Sequence, residues 1–289
     1  MSETTPRQHR IGVLQMILTA VLWSIAGIFI KQIPWNAVAI TGWRGFVAAL
    51  VALGYMLIRR TKFRFTAKSF FAGFFQAAMS FCFVIATKLT TAANAIVLQY
   101  VSPVFLLGLS VLIFKKKLYF RDAAVTAATV LGVALAFLGE LSADGMAGNC
   151  IALCAGLFTA GMYLTASRCD DDERMSGVLI GHLITAAVGT TYSFFTVTEV
   201  TFQAAAFVVI LGVFQLGLPF VLYALAQKHC TALECNLLGT VEPLLNPVWV
   251  FLFDGEAPST LALVGMVAVI GSVTVWTVLK AKRPLPDQA

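Results

Sequence analysis

Long apolar stretches separated by short polar segments run along almost the whole chain. A helix needs about 20 predominantly apolar residues to cross the hydrocarbon core of a bilayer. The ionisable side chains within such stretches are Arg44, His182, Glu234 and Glu242. The pattern predicts an all-α polytopic membrane protein with ten transmembrane helices. The predicted spans are, approximately, residues 11–30, 37–58, 69–87, 93–114, 123–139, 147–167, 176–198, 203–227, 231–253 and 259–279.

The composition excludes most other classes of protein. Hydrophobic residues make up 59% of the chain and charged residues 12%, against about 45–50% and about 25% in soluble domains. A soluble enzyme, a disordered chain, a coiled coil and a secreted disulfide scaffold are therefore excluded. None of the 6 cysteines forms a C-x-x-C pair, so we predict neither a disulfide framework nor a metal site. The first span follows two arginines but is too long for a signal peptide and lacks an A-x-A site, so we expect it to be retained.

The basic residues predict the orientation of the chain, because Lys and Arg collect in cytoplasmic loops. Of the 20 Lys and Arg residues, Arg44 lies inside a span. If the N-terminus is cytoplasmic, only Lys31 and Lys88 fall in loops outside the cell. All the remaining Lys and Arg residues then fall in cytoplasmic segments. We therefore predict that both termini are cytoplasmic and that the protein is a multi-pass protein of the plasma membrane.

The chain also contains an internal repeat. Residues 86–103 align without a gap with residues 226–243, and the matches include Lys88 with Lys228 and Pro103 with Pro243. We therefore predict two five-helix repeats, residues 1–144 and 145–289, in one integral membrane unit. Because five is odd, the second repeat begins on the opposite side of the membrane. Inverted repeats are typical of secondary transporters, whose substrate site lies near the midplane between the halves.

Short motifs add a family resemblance. They are A-V-L-W-S from Ala20 to Ser24, W-R-G-F from Trp43 to Phe46, Y-V-S-P ending at Pro103, and V-E-P from Val241 to Pro243 followed by Gly255-Glu256. In order and spacing they resemble the EamA-type ten-helix members of the drug/metabolite transporter superfamily, over essentially the whole chain. The chain departs from the family after the fourth helix, where Lys115-Lys116-Lys117 replaces a frequent Gly-Glu. The resemblance implies export or uptake of small organic solutes, such as amino acids and their metabolites, quaternary amines, nucleotide-like vitamins or toxic compounds.

Glu242 is the first candidate for the substrate site. Pro243 follows it, and a proline within a helix frees the carbonyl four residues earlier, here that of Gly239. A kink, a free carbonyl and a carboxylate within one turn predict a polar pocket. In this interpretation Glu242 binds a substrate ammonium or exchanges a proton. The alternative is a structural hydrogen bond to a neighbouring helix.

The other ionisable groups also have two interpretations each. Arg44 either binds a substrate carboxylate or ties helices together. Glu234 either has a function or pairs with Lys228 or His229. His182 is either a proton relay or a helix-packing residue. We interpret the acidic run at residues 170–173 as a solvated loop, with a cation site as the alternative.

Aromatic and polar side chains complete the predicted site. Trp23, Tyr100, Tyr163 and Tyr223 either line the cavity, where cation–π attraction favours an organic cation, or pack between helices. Trp35 and Trp276 are expected in the interfacial belt. Polar residues are concentrated in the fourth and ninth helices, where Pro103 and Pro243 are the expected kinks, so these helices are expected to wall the cavity. The candidate substrate-binding residues are Glu242, Trp23, Tyr100, Gln99, Ser102, Tyr163, Tyr223, Gln76, Asn236 and Arg44.

These observations predict a secondary transporter that works by alternating access. No Walker motif is present to couple it to ATP, and no H-E-x-x-H or G-x-S-x-G motif indicates an enzyme. We expect an exporter of amino acids or related metabolites, with proton coupling through Glu242 as one option. The alternative is a transporter of choline or another organic cation, with Glu242 and an aromatic cage as its site. The expected partners are the bilayer and a small organic substrate, with no cofactor and no nucleic acid, in a monomer or weak homo-oligomer.

Overall fold

The structure is a computed structural model that describes residues 5–30, 32–90, 92–115, 117–136, 138, 145–196, 200–254 and 260–282. These residues form helices and turns, without strands. The residues outside this description include Lys31, Gly255-Glu256 and the two chain ends. They also include residue 144, where the first predicted repeat ends.

Helical structure lies over each of the ten predicted stretches. A 7-residue π-helix, Leu211–Gly217, joins the α-helices Phe202–Ile210 and Leu218–Ala226. The α-helices are α1 (Pro6–Trp23), α2 (Ala26–Ile30), α3 (Ala37–Arg59), α4 (Ala67–Leu89), α5 (Ala92–Gln99), α6 (Ser102–Phe114), α7 (Phe120–Ala136), α8 (Met146–Ala166), α9 (Asp171–Thr196), α10 (Phe202–Ile210), α11 (Leu218–Ala226), α12 (Ala232–Gly239), α13 (Val241–Asp254) and α14 (Thr260–Lys282).

Local sequence explains many helix ends. Thr66 and Thr231 begin α4 and α12 with capping boxes, in which a hydroxyl accepts from the backbone N–H three residues on. Such a cap satisfies N–H groups that have no partner inside the helix. Arg60 and Lys115 end α3 and α6 in the left-handed conformation. Gly145 adopts φ +74° before α8, and a Cβ there would meet the Leu89 carbonyl oxygen at 2.6 Å.

Four of the ten predicted helices are not continuous α-helices, which the hydrophobic pattern does not reveal. The first is divided after Trp23, and the eighth contains the π-helix. The fourth is divided at Tyr100 and Val101, and the ninth at Thr240. The last two breaks lie within one helical turn before Pro103 and Pro243. Proline lacks the N–H that would continue the ladder of hydrogen bonds. Broken helices expose backbone groups inside the bundle that a polar site can use.

The helices pack across the middle of the chain rather than within each half. α3 packs on α9, and α7 on α14. α4 packs on both α8 and α9, while α1 packs on α11 and α3 on the π-helix. α5 and α6 contact α8, while α12 and α13 contact α1. The central contact between α3 and α9 is very close, because a Cβ at Gly42 would collide with the Gly189 carbonyl carbon. Small residues allow such approach between membrane helices.

The outer surface of the bundle is apolar. Leu57, Phe195 and Phe202 are among many large hydrophobic side chains that are mostly exposed. Within the described residues, six helices are long and apolar enough to cross a membrane. They are Ala37–Arg59, Ala67–Leu89, Asn94–Ile113, Met146–Ala166, Asp171–Thr196 and Phe202–Ala226. A surface of this kind suits lipid rather than water.

Ion pairs mark one end of the bundle, which we call the ion-paired end. The Lys228 Nζ lies 2.8 Å from an Asp171 carboxylate oxygen, and the His9 Nε2 lies 2.6 Å from the Glu234 Oε1. Arg64 pairs with Asp170 at 2.9 Å. The acidic run predicted as a solvated loop thus begins α9 and connects it with the loops before α4 and before α12. Acidic groups in the first turn of a helix are favourable because of its dipole.

Trp276 differs from its expected place in the interfacial belt. Its side chain is buried, and its indole Nε1–H donates to the Asp122 Oδ1 at 2.9 Å. The bond joins α14 to the first turn of α7. Because the Asp122 carboxylate is buried, it requires a hydrogen-bond donor. The buried Trp276 indole supplies this donor, which an indole in the interfacial belt would not.

Candidate functional site

A polar cavity lies where the broken helices meet. It has about 520 Å³ of space between its lining atoms, including open solvent at its mouth. The α1, α3, α4, α5, α6, α8, α11 and α12 helices contribute to its wall, together with the first turn of α13 and the π-helix. Its lining residues are Trp23, Arg44, Met79, Ser80, Phe83, Gln99, Tyr100, Ser102, Thr159, Met162, Tyr163, Gln215, Leu216, Phe220, Asn236 and Glu242.

Glu242 is held at the break in the ninth span. The Tyr100 hydroxyl lies 2.6 Å from the Glu242 Oε2 and 3.0 Å from the Gly239 carbonyl oxygen, and it donates its single proton to one of them. The Gly239 carbonyl is the group that Pro243 was expected to free. Tyr100 itself lies at the break in the fourth span. The two breaks therefore meet through one tyrosine.

A second contact joins the same two spans. The Ser102 hydroxyl donates to the Asn236 Oδ1 at 2.9 Å, and both side chains are buried. The Asn236 Nδ2 has no hydrogen-bond partner. Because the oxygen of this amide is occupied, the group that it offers to the cavity is a donor.

Arg44 brings a buried positive charge to the cavity. It is 1% exposed, and its Nη1 donates to the Gln215 Oε1 at 3.1 Å. Gln215 belongs to the π-helix, whose Gly212 contacts Val47 of α3. The Arg44 Nε has no partner. Within the described part of the chain, no carboxylate lies within ion-pairing distance of Arg44.

Aromatic rings form one side of the cavity. The Trp23 ring lies 5.3 Å from the Phe220 ring and 6.2 Å from the Tyr223 ring, and Tyr163 lies 5.3 Å from Tyr223. The Trp23 Nε1–H has no partner. The rings therefore supply an apolar wall with an indole donor in it.

The cavity gathers most of the predicted substrate-binding residues and leaves out Gln76 and Tyr223. The Tyr223 hydroxyl donates to the Met162 carbonyl at 3.4 Å, behind the Tyr163 ring. The Gln76 amide lies 3.3 Å from the His182 Nδ1 and bonds the Val178 carbonyl. His182 in turn packs edge-on to Phe220. These residues support the wall and are one layer away from the cavity.

The structure gives Glu234 a different partner from the two that were expected. Glu234 pairs with His9 of α1, and Lys228 pairs with Asp171. Sequence proximity favoured Lys228 and His229, but the approach of α1 to the start of α12 brings a residue 225 positions away into contact.

Several residues that line the cavity could not be selected from the sequence, because nothing distinguishes them from other residues of apolar helices. Met79, Phe83 and Phe220 look like any other core residue in an apolar span, and Thr159 bonds the carbonyl four residues earlier as many helical threonines do. Gln215 is polar, but the π-helix that turns it toward Arg44 has no clear signal in the sequence. One signal was available for Phe220, since it follows Pro219 within an apolar span.

The apolar outer surface and the long apolar helices define a multi-pass membrane protein, and the cavity lies within its bundle. The EamA-like transporter family matches the chain twice, at residues 10–138 and 146–278. The chain therefore belongs to the EamA-like transporter family, which confirms the resemblance seen in its motifs. Membership of a transporter family favours transport over catalysis.

A curated protein and a solved structure are similar to the chain over almost all of its length. A protein from Archaeoglobus fulgidus described as an uncharacterized transporter is 22% identical over 274 residues, which cover 93% of this chain and 97% of that protein. A solved crystal structure of a protein has a TM-score of 0.79 at 17% sequence identity, and the match covers 95% of this chain and 99% of that one. At this identity the second likeness concerns the fold alone.

Proposed function

We propose that this protein is a secondary transporter that exports amino acids or related zwitterionic metabolites by alternating access. The observation that carries the proposal is the unpaired state of two opposite charges around one cavity. Arg44 and Glu242 both line it, and in the described residues neither has an oppositely charged partner within ion-pairing distance. Charges inside a membrane protein are retained mainly where they pair or serve a substrate. A zwitterion offers one group to each.

The hydrogen-bonding groups of the cavity that have no partner support the same ligand. The Arg44 Nε, Trp23 Nε1 and Asn236 Nδ2 are buried donors without a partner, and the Gln99 Oε1 is a buried acceptor without one. An unsatisfied buried polar group costs about 1–3 kcal/mol. A substrate carboxylate accepts from the donors, while Glu242 and the Gln99 Oε1 accept from an ammonium. The aromatic wall is left for an apolar side chain.

The second candidate is a quaternary amine such as choline. The rings of Trp23, Tyr163 and Phe220 favour it, since aromatic faces attract a cation by about 0.5–2 kcal/mol each. Glu242 would balance its charge. This ligand leaves the Arg44 and Asn236 donors without an acceptor, which is why we place it second.

The two-repeat organisation is part of the proposal. We assign residues 1–144 and 145–289 to inverted five-helix repeats in a ten-span bundle. In this assignment each of the first five spans corresponds to one of the last five, and the helix contacts of the two repeats correspond as well. The contact of α4 with α8 corresponds to that of α11 with α1. The contact of α4 with α9 corresponds to that of the π-helix with α3, and the contact of α5 with α8 to that of α12 with α1. The two family matches divide the chain at the same place.

Orientation and energy coupling follow from charge. We assign the ion-paired end to the cytoplasm, because it holds the clusters of Lys and Arg, and the protein to the plasma membrane as a monomer or weak homo-oligomer. Glu242 is the candidate for proton coupling, since a carboxylate that faces the cavity changes its charge when it exchanges a proton.

Thermal unfolding of the detergent-purified protein tests the substrate class. At 100 times its dissociation constant, a ligand adds about 2.7 kcal/mol to the stability of the folded state. We expect stabilisation by one or more L-amino acids, and none by the matching amino-acid ester or by the acid without its amine. Glu242→Gln is expected to abolish the effect. Stabilisation by choline alone would contradict the zwitterion.

Trp23→Phe separates the two candidates, since it keeps an aromatic ring and removes the Nε1–H donor. For a zwitterion we expect weaker binding, and for a quaternary amine little change. The matched control is Trp43→Phe, whose indole donates to the Ser193 hydroxyl at 2.9 Å outside the cavity. Equal amino-acid binding by Trp23→Phe and by Trp43→Phe would exclude the indole as a carboxylate donor.

A further inference from the structure

Three side chains that bind transition metals converge at the ion-paired end, far from the cavity. His9 belongs to α1, Cys230 precedes α12, and Glu234 lies in its first turn. The ligand atoms of the three all lie within 4.8 Å of one another. Cys230 and Glu234 are buried, whereas the His9 side chain is 26% exposed and gives access from solvent.

The local fold brings these atoms together in an organised way. The His9 Nε2 lies 2.6 Å from the Glu234 Oε1, and the other oxygen of that carboxylate, Oε2, accepts from the Thr231 N–H at 3.4 Å in the capping box. The cap thus fixes the carboxylate and presents Oε1 to His9. Gly12 permits the approach of α1, because a Cβ there would meet the Cys230 Sγ at 2.9 Å.

The donor set indicates the class of ion. An imidazole nitrogen, a thiolate sulfur and a carboxylate oxygen are the ligands of Zn²⁺, at about 2.0–2.3 Å each. In tetrahedral geometry such ligands lie roughly 3.3–3.8 Å apart, which side-chain rotations can reach from the observed separations. Mg²⁺ and Ca²⁺ prefer oxygen ligands alone, so this set discriminates against them.

We propose that His9, Cys230 and Glu234 form a three-ligand site for a zinc-class divalent ion, which ties α1 to the start of α12. A water molecule or small anion completes the four-coordinate shell. His9 precedes Trp23 by 14 residues on the same helix, so the site is about 21 Å along α1 from the cavity. It is distinct from the substrate site, and it joins the first span to the ninth.

The competing explanation is a structural hydrogen bond between His9 and Glu234. In that explanation the Cys230 thiol makes only a separate, long hydrogen bond to the His9 carbonyl oxygen, at 4.0 Å. A metal site uses all three groups. Variants at His9 and Cys230 therefore separate the two explanations.

The test titrates the full-length, detergent-purified protein with ZnCl₂, in competition with a chelating dye and in parallel with thermal unfolding. We expect one high-affinity ion per chain and a raised melting temperature, and no such effect from MgCl₂. Cys230→Ser and His9→Gln are each expected to weaken Zn²⁺ binding at least tenfold. The His9→Gln variant retains an N–H donor for Glu234, so a purely structural role would leave its melting temperature close to that of the parent.

Other thiols provide the controls. Cys150→Ser with Cys154→Ser removes two exposed thiols of α8, and Cys169→Ser removes a buried thiol near the same end. We expect parental Zn²⁺ affinity in both control variants. If the control at Cys150 and Cys154 abolishes binding, or if either Cys230→Ser or His9→Gln keeps parental affinity, the proposal is overturned. Absence of any high-affinity binding also overturns it.

Thiol reactivity gives an independent readout. Zn²⁺ is expected to slow the reaction of Cys230 with N-ethylmaleimide at least tenfold, because a coordinated thiolate is not free to attack. Burial, and then the Glu173 carboxylate, raise the pKa of the Cys169 thiol to about 11, so this thiol is expected to react slowly with or without the ion. Equal reactivity of Cys230 in both conditions would contradict the site. None of these measurements uses a transport substrate, so their failure is distinguishable from failure of the proposed function.

Discussion

At the scale of single residues, the ionisable groups of the spans fall into two kinds. Glu234 is paired with His9, and the adjacent capping box uses its second oxygen. Arg44 and Glu242 line the cavity without an ion-pairing partner in the described residues. Each such group costs about 2.5–3.5 kcal/mol at the centre of a membrane helix. The first kind is explained by structure, and the second calls for a ligand.

Tyr100→Phe tests how Glu242 is held. The change removes the hydroxyl that contacts both the Glu242 carboxylate and the Gly239 carbonyl, so we expect the protein to lose about 1–3 kcal/mol of stability. Thermal unfolding in one detergent measures the loss. Tyr192→Phe is the control, because that side chain is 46% exposed and its change is expected within about 0.5 kcal/mol. Equal melting temperatures for the two variants would show that the Tyr100 contact contributes nothing to the fold.

At the scale of helices, close contact explains the centre of the bundle. α3 and α9 meet at Gly42 and Gly189 with no room for a methyl group on either. Further along α3, a Cβ added at Gly54 would have no atom within 4 Å of it. One helix thus contains a glycine that packing requires and a glycine that it does not.

Gly42→Ala and Gly54→Ala therefore form a matched pair. Gly42→Ala forces α3 and α9 apart, and we expect a loss of about 1–3 kcal/mol from overpacking. Gly54→Ala adds a methyl group in open space and favours the helix by up to about 1 kcal/mol. Melting temperatures of both variants decide the matter. A Gly42→Ala protein as stable as Gly54→Ala would contradict the close approach.

The helices illustrate what sequence can and cannot predict. A stretch such as residues 69–87 is visible because about 20 apolar residues have few other uses, and the structure has α4 there. The breaks before Pro103 and Pro243 have a visible cause in proline. The π-helix has no such visible cause, although its Gly212 and Gly217 lie close to Val47 and Val51 of α3.

The charged residues of the site could be predicted from the sequence for a similar reason. Arg44 and Glu242 are conspicuous because ionisable groups are rare within apolar spans. Their partners are not, because Gln215 and Tyr100 reach them from helices 171 and 142 positions away in sequence. Periodicity describes one helix at a time and contains no information on which helices meet.

At the scale of the whole molecule, the charged loops predict the topology. Arg64, Asp171 and Lys228 meet at one end of the bundle. The opposite end has uncharged contacts such as the Asn36 amide on the Thr196 hydroxyl at 2.6 Å. By the positive-inside rule, this asymmetry predicts that the ion-paired end faces the cytoplasm.

Reporter fusions in a bacterial host test the topology. We expect green fluorescent protein to fluoresce when it is fused after Lys282 or after Arg60, because both points are assigned to the cytoplasm. Alkaline phosphatase is expected to be active when it is fused after Val200, between α9 and α10. Phosphatase activity at Lys282 would contradict cytoplasmic placement of the C-terminus and would leave an odd number of spans.

The opposite charges of Arg44 and Glu242 have an electrical consequence. With both ionised, the cavity has no net formal charge, and a zwitterion adds none. An elementary charge gains or loses about 2.3 kcal/mol per 100 mV of membrane potential, but a neutral loaded site does not sense this voltage. If Glu242 stays ionised throughout the cycle, export of a zwitterion would then continue at the same rate in polarised and depolarised cells. Proton exchange at Glu242, or a cationic cargo in the same cavity, would instead make the flux follow the voltage.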